Sequence, residues 1–158
     1  MKIFYAIFIL IIISCGDKNQ ISNIPSLIFV GISRDSMIQG DLNQDSVIVK
    51  FSFEDGDGDL GWGSTSSEKD IFVVDKRTGL LLDQFKIPDI PDSNGEPISG
   101  SMEIRIYTTC CIFPNNIPPC TAPIQYPRNE IQFEIYAKDR SGNESNRIIT
   151  NKILLICN

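Results

Sequence analysis

The chain has no histidine and few basic residues, and both shortages exclude classes of function. Without histidine, its 158 residues cannot form a Ser-His-Asp or Cys-His catalytic group, an imidazole zinc site or a histidine-ligated haem. The 14 Lys and Arg residues are outnumbered by 20 Asp and Glu residues, so the formal net charge is −6. Nucleic-acid binding requires clustered basic side chains, which this sequence lacks. We therefore expect no nucleic-acid partner. The length of the chain predicts a single domain.

A hydrophobic run long enough to span a membrane is also missing. The longest apolar run covers residues 3–13, which is eleven residues. As a helix it reaches only about 17 Å, against the roughly 30 Å of a bilayer core. The run follows Lys2 and ends at Ser14-Cys15, an arrangement typical of a signal peptide.

The end of this leader carries a family resemblance. Ile12-Ile13-Ser14-Cys15 resembles the lipobox of bacterial lipoproteins, in which a small residue precedes a cysteine. The resemblance implies cleavage before Cys15 and a covalent lipid of palmitate type on that residue, with an ordinary secretory leader as the alternative. Several acyl chains, each CH₂ contributing about 0.8 kcal/mol, anchor a protein stably. The expected organisation is a signal peptide at 1–14, a lipidated tether at 15–26 and one domain at 27–158.

The leader and the Ile-, Asn-, Ser- and Asp-rich composition together are similar to outer-membrane lipoproteins of the Bacteroidetes. That resemblance implies a lipid-anchored protein at the outer membrane. The periplasmic face and the cell surface both stay open as locations.

Hydrophobic alternation after residue 27 predicts an all-β domain. Apolar and polar residues alternate, as in Val47, Val49, Phe51 and Phe53, turn residues recur every eight to fifteen positions, and no helical period appears. This pattern is typical of short strands packed as a sandwich. We expect seven strands, at 27–33, 46–54, 70–75, 80–87, 101–112, 130–139 and 147–156.

The stretch Tyr136 to Ser145, which reads YAKDRSGNES, resembles the last hairpin of bacterial fibronectin type III and other immunoglobulin-like domains. The resemblance implies a seven-stranded immunoglobulin-like antiparallel β-sandwich and carries no enzyme activity. The chain departs from the antibody pattern, because no cysteine pair joins its second and sixth predicted strands.

Four cysteines remain besides Cys15, namely Cys110, Cys111, Cys120 and Cys157. They lack the paired Cys-x-x-Cys hooks of a zinc site, so in a secreted protein we expect two disulfides. Adjacent strand residues point to opposite faces, which gives Cys110 and Cys111 different partners and leaves two arrangements. We favour Cys111–Cys120, which closes a proline-rich loop, together with Cys110–Cys157.

An acidic, glycine-rich stretch follows the second predicted strand. Residues 54–63 read EDGDGDLGWG, and the alternating carboxylates of Asp55, Asp57 and Asp59 form the kind of oxygen cluster that Ca²⁺ prefers. An EF-hand is excluded, because Leu60 and Ser66 stand where that loop has Gly and Glu. In an immunoglobulin-like sandwich the loop with Asp139 and Asn143 lies at the same end, so we expect these two residues to complete the site. A solvated acidic turn is the alternative.

These observations favour a noncatalytic, lipid-anchored β-sandwich that acts as a binding or accessory subunit at the outer membrane, within a protein complex. The alternative is a carbohydrate-binding module of a glycan-uptake system, with Trp62, Tyr107 and Tyr126 as candidate sugar-stacking residues. A hydrolase using Glu54 and the three loop aspartates is the third hypothesis. It is disfavoured because a hydrated carboxylate cluster makes a poor general acid, and we expect no enzyme activity.

Overall fold

The computed structural model describes residues 21–63, 65–88, 90 and 94–158. The predicted signal peptide, Cys15 and the first part of the predicted tether lie outside the described residues. Within the part that is described, no helix is long and apolar enough to cross a membrane.

The described residues form an all-β fold of ten strands. These are β1 (Ser26–Ile32), β2 (Ser36–Ile38), β3 (Ser46–Asp55), β4 (Ile71–Asp75), β5 (Leu80–Phe85), β6 (Ile98–Tyr107), β7 (Arg128–Ile131), β8 (Phe133–Ala137), β9 (Ile148–Ile149) and β10 (Ile153–Ile156). They make three sheets with the orders β1-β3-β6, β2-β10-β7 and β5-β4-β8-β9. The all-β prediction is confirmed, whereas the ten strands replace the seven that we expected.

Two of the three additional strands arise because the chain changes sheet at two places where we predicted one continuous strand. The third, β2, was not predicted. Gln132 separates β7 from β8, and its side-chain amide donates to the Thr150 carbonyl at 2.9 Å. The Thr150 hydroxyl accepts from the Phe133 N–H at 3.0 Å. Side chains thus satisfy the backbone where the β-ladder passes from one sheet to the next. The sheets are also not wholly antiparallel, because β2 pairs with β10 in parallel.

The core lies between the sheets and follows the predicted alternation. On β3 the side chains of Val47, Val49, Phe51 and Phe53 are all buried. On β7 and β8 the inward set is Ile131, Phe133, Ile135 and Ala137, each of which is buried. Burying each large side chain contributes about 1.5–3 kcal/mol. This core fixes the register that brings the connecting loops together at the two ends.

The two ends of the fold differ in chemistry. Residues 21–24, 55–63 and 138–146 lie at the end where β3 terminates at Asp55. We call this the acidic end, after the aspartates of the loop. We call residues 39–45, 108–127 and 157 the disulfide end. All four predicted cysteines are paired there, as Cys110–Cys120 and Cys111–Cys157.

The prediction that Cys110 and Cys111 take different partners is correct, but the favoured pairing is wrong. A strand that ran to residue 112, as predicted, would turn Cys110 inward along with Ile104 and Ile106. In the structure β6 stops at Tyr107, and the alternation ends with the buried Thr108. Cys111 therefore becomes the fully buried cysteine, next to the fully buried Cys157 at the end of β10.

Candidate metal centre

The acidic loop begins where β3 ends and turns back on itself at once. Gly58 and Gly61 have φ angles of 67° and 96°, a region that glycine occupies without steric cost. The turn lets the Leu60 N–H donate to Asp55 Oδ2 at 2.8 Å. Leu60 itself is buried in the core. Leu60 therefore holds the turn in two ways, by its hydrogen bond to Asp55 and by its buried side chain.

The turn brings three carboxylates together. One oxygen from each of Asp55, Asp57 and Asp59 lies within 4.8 Å of the other two. The Oδ1 atom of each residue is buried, and none of the three has a hydrogen-bond partner among the described residues. Asp55 is fully buried, with 0% exposure. Buried carboxylate oxygens without a donor are rare because their desolvation is costly.

The electrostatics of Asp55 reflect this crowding. Burial is the largest cause that raises the pKa of Asp55, which lies at about 6 instead of 3.8. The hydrogen bond from Leu60 lowers the pKa, and the negative charges of Asp57, Asp59 and Asp139 raise it further. A positive charge at this point would offset the cost of burying the Asp55 carboxylate and its repulsion from the neighbouring carboxylates.

Asp59 also joins the acidic loop to the turn between β8 and β9. Its Oδ2 atom accepts from the Ser141 N–H at 3.0 Å and from the Ser141 hydroxyl at 2.7 Å. Its backbone carbonyl accepts from the Arg140 N–H at 3.3 Å. The sequence reasoning placed these two loops at one end, and in the structure they touch there. Ser141 was missed as a contributor, because no local pattern marks a contact across 82 residues.

The other two predicted ligands, Asp139 and Asn143, lie on this same turn and contact each other. Asp139 is fully buried. Its Oδ1 atom accepts from the Asn143 N–H at 2.7 Å, and its Oδ2 atom accepts from the Asn143 side-chain amide at 2.8 Å. Asp139 is near enough to raise the pKa of Asp55. Their role as ligands stays a prediction, whereas the three loop aspartates form the cluster itself.

The first described residues of the chain lie directly against the acidic loop. The Gly56 N–H donates to the Ser22 carbonyl at 2.8 Å. A Cβ atom at Gly56 would stand 2.3 Å from the Ile21 carbonyl oxygen, so only glycine fits this contact. Asn146 holds the next segment, donating to the Leu27 carbonyl at 2.9 Å and accepting from the Leu27 N–H at 2.7 Å. The predicted tether therefore joins the domain beside the carboxylate cluster.

A further buried aspartate, Asp70, which the sequence reasoning missed, fixes the far end of the acidic loop. Asp70 accepts from the Trp62 N–H at 2.9 Å and from the Ile87 N–H at 2.8 Å. Burial raises the pKa of Asp70, and these two hydrogen bonds oppose the rise. With both oxygens satisfied, Asp70 is a structural anchor of the loop.

The remaining candidates from the sequence are not brought together. Glu54 is exposed on β3 and is not part of the cluster. Trp62 lies at the acidic end, whereas Tyr107 lies at the other end of the β3–β6 ladder, opposite Ser46. Ten residues of strand span about 33 Å. Tyr126 is at the disulfide end, with its ring centroid 6.1 Å from that of Phe113. The three aromatic residues thus form no common sugar-binding platform.

The carboxylate cluster fits a hard cation. All its ligand atoms are oxygens, which suits Ca²⁺ and Mg²⁺ better than the softer metals. The buried Oδ1 atom of each aspartate has no hydrogen-bond donor among the described residues. Comparison of the chain with protein-family models, with curated proteins and with solved structures finds no match.

Proposed function

We propose that this protein is a noncatalytic β-sandwich, held at a bacterial outer membrane by a lipid on Cys15, that acts as a binding or accessory subunit and carries a Ca²⁺ ion in its acidic loop. The observation that supports the Ca²⁺ site is the convergence of Asp55, Asp57 and Asp59, whose Oδ1 atoms are buried without a partner among the described residues.

Ca²⁺ fits this site better than Mg²⁺ does. Ca²⁺ accepts six to eight oxygens in flexible geometry, whereas Mg²⁺ demands a near-ideal octahedron and gives up its water reluctantly. The three carboxylates come from one turn of a loop, and two further acceptors, Asp139 and Asn143, lie on the adjoining turn. A carboxylate oxygen that accepts one hydrogen bond keeps a second lone pair. Dissociation constants of about 10⁻⁴ to 10⁻³ M are typical of extracellular modules of this kind.

The position of the cluster favours a structural task for the ion. Asp55 has the raised pKa that a general acid needs, yet its side chain is fully buried and cannot reach a substrate. The cluster instead lies where residues 21–22, the acidic loop and the turn with Ser141 meet. An ion there would join the membrane-proximal segment to the sandwich.

The metal proposal is tested by thermal melting in EDTA and in Ca²⁺. At 100 times the dissociation constant, the ion should add about 2.7 kcal/mol to the free energy of unfolding. Asp57→Asn and Asp59→Asn should lose this gain. Asp41→Asn, an exposed aspartate at the disulfide end, should keep it. Equal melting temperatures in EDTA and Ca²⁺ for the unsubstituted protein would leave a solvated acidic turn as the explanation.

Two further experiments test the anchor and the accessory role. An alkyne fatty acid fed to the cells should label the protein and should not label the Cys15→Ser variant. Label retained by that variant would remove the lipobox interpretation. Native purification from detergent-solubilised membranes should recover the protein together with a partner protein in fixed ratio. Recovery as a lone chain would contradict the role as an accessory subunit.

A further inference from the structure

One long strand, β6, lies at the edge of its sheet. β6 is the last strand of the β1-β3-β6 sheet and pairs with β3 over ten residues. Among the described residues, no strand pairs with its other side. An edge strand of this length presents a row of backbone N–H and C=O groups that can pair with another chain. At about 3.3 Å per residue, the row is about 33 Å long.

The sandwich is open beside this edge. β5 is the edge strand of its own sheet, and a groove of about 630 Å³ lies between β5 and β6. Apolar side chains line much of it, including those of Phe53, Phe85, Ile87, Ile90, Met102 and Ile104. Residues 100–105 of β6 form one wall of the groove. A strand added to β6 would therefore place its inward side chains over apolar surface.

The exposed face of β6 carries two opposite charges at alternate positions. Glu103 and Arg105 are both exposed. Glu103 pairs with Lys50 at 3.1 Å, and both side chains remain at least half exposed. Arg105 donates to the neutral Ser46 hydroxyl at 3.0 Å, and no carboxylate among the described residues forms an ion pair with it. The Arg105 guanidinium is thus able to take an acidic partner from outside.

We propose that β6 pairs antiparallel with β6 of a second copy of this chain, about a two-fold axis at Ile104. In that register Glu103 lies opposite Arg105 of the partner subunit, and Arg105 lies opposite Glu103 of the partner subunit. On the inner face, Met102 lies opposite Ile106 of the partner subunit. The two three-stranded sheets become one sheet of six strands, and the interface is isologous.

The charge pattern selects this register and this partner. An axis at Glu103 or at Arg105 would put like charges directly opposite each other, which destabilises a strand pair. An axis at Met102 would leave both charges facing neutral residues. The axis at Ile104 pairs all four charges while keeping Ile104 and Met102 on the apolar side. A second copy of the chain therefore satisfies the edge without any additional partner.

The test is sedimentation velocity over a range of concentrations, and it depends on neither the lipid nor the ion. Residues 15–158 include every described strand and both disulfides, and Cys15→Ser prevents acylation. Glu103→Arg and Arg105→Glu should each weaken self-association at least about tenfold, since each places like charges opposite. Lys50→Gln removes the ion pair within the chain and leaves the edge charges in place. It is the matched control and should self-associate as the unsubstituted protein does.

The decisive arm mixes the two charge variants. A Glu103→Arg chain and an Arg105→Glu chain have complementary edges in the proposed register. Their mixture should therefore form a heterodimer that is tighter than the homodimer of either variant. Heterodimer formation also shows that both variants are folded. An unsubstituted protein that stays monomeric at all concentrations would overturn the proposal. A dimer whose affinity is the same in all variants, or variants that fail to associate on mixing, would overturn this register.

Discussion

Replacing Asp55 by asparagine is expected to stabilise the ion-free protein at neutral pH. The substitution removes the charge of a fully buried carboxylate. It keeps an oxygen that can accept from the Leu60 N–H. Its new amide N–H₂ brings a hydrogen-bond donor into a cluster in which the Oδ1 atoms of Asp57 and Asp59 have no partner among the described residues. The variant therefore resembles the protonated form of Asp55 and avoids the repulsion of three adjacent charges.

The magnitude and the sign follow from the pKa of Asp55. Because the pKa is raised from 3.8 to about 6, the folded protein holds the Asp55 proton more tightly than the unfolded chain does. The stabilising contribution of this proton is complete below pH 3.8 and is lost as the pH rises through about 6. A raise of about two pH units corresponds to about 3 kcal/mol at most. Asp55→Asn should gain up to this amount at pH 7.5 in EDTA.

The assay is urea unfolding between pH 4 and pH 8, in EDTA and in saturating Ca²⁺. In EDTA the advantage of Asp55→Asn should shrink toward zero at pH 4, where Asp55 is protonated in the folded protein. In Ca²⁺ at pH 7.5 and 100 times the dissociation constant, the advantage should largely disappear, because only the unsubstituted protein gains the binding free energy of the ion, about 2.7 kcal/mol. A variant that is less stable than the unsubstituted protein in EDTA at pH 7.5 would refute this electrostatic reasoning.

Two further predictions concern the acidic end and the disulfide end of the fold. Gly56→Ala should displace residues 21–22, because a Cβ atom at Gly56 would stand 2.3 Å from the Ile21 carbonyl oxygen. Hydrogen exchange should then show faster opening of residues 21–24. Gly31→Ala is the control, because a Cβ atom at Gly31 would meet nothing within 4 Å, and it should leave the exchange of residues 21–24 unchanged. Replacing both cysteines of the Cys111–Cys157 disulfide by serine should cost about 4 kcal/mol, and those of Cys110–Cys120 about 3 kcal/mol, since the first closes the longer loop. Urea unfolding measures both losses, and a larger loss for the shorter loop would contradict the loop-closure argument.

The features that could be predicted from the sequence are those that depend on residues close together in the chain. The alternation of β3 identified Val47, Val49, Phe51 and Phe53 as one buried face, because side-chain direction in a strand has a period of two. The spacing of Asp55, Asp57 and Asp59 likewise indicated a cluster, since a glycine-containing turn folds such residues onto one point. Both inferences need only a few consecutive positions.

Features that depend on contacts between distant residues were not predictable in this way. The division between β7 and β8 depends on Gln132 and Thr150, which lie in different strand connections. The disulfide pairing depended on where β6 ends, and strand ends follow tertiary packing more than local propensity. Asp70 and Ser141 support the site through hydrogen bonds to residues at least eight positions away, and no local spacing marks them.

A calorimetric titration of Ca²⁺ into the EDTA-stripped and dialysed protein tests the central claim most directly. We expect one ion per chain, with a dissociation constant of about 10⁻⁴ to 10⁻³ M. Asp57→Asn and Asp59→Asn should abolish the binding heat, and Asp41→Asn should retain it. Absence of binding to the unsubstituted protein at millimolar Ca²⁺, or undiminished binding by the two cluster variants, would contradict the proposed site.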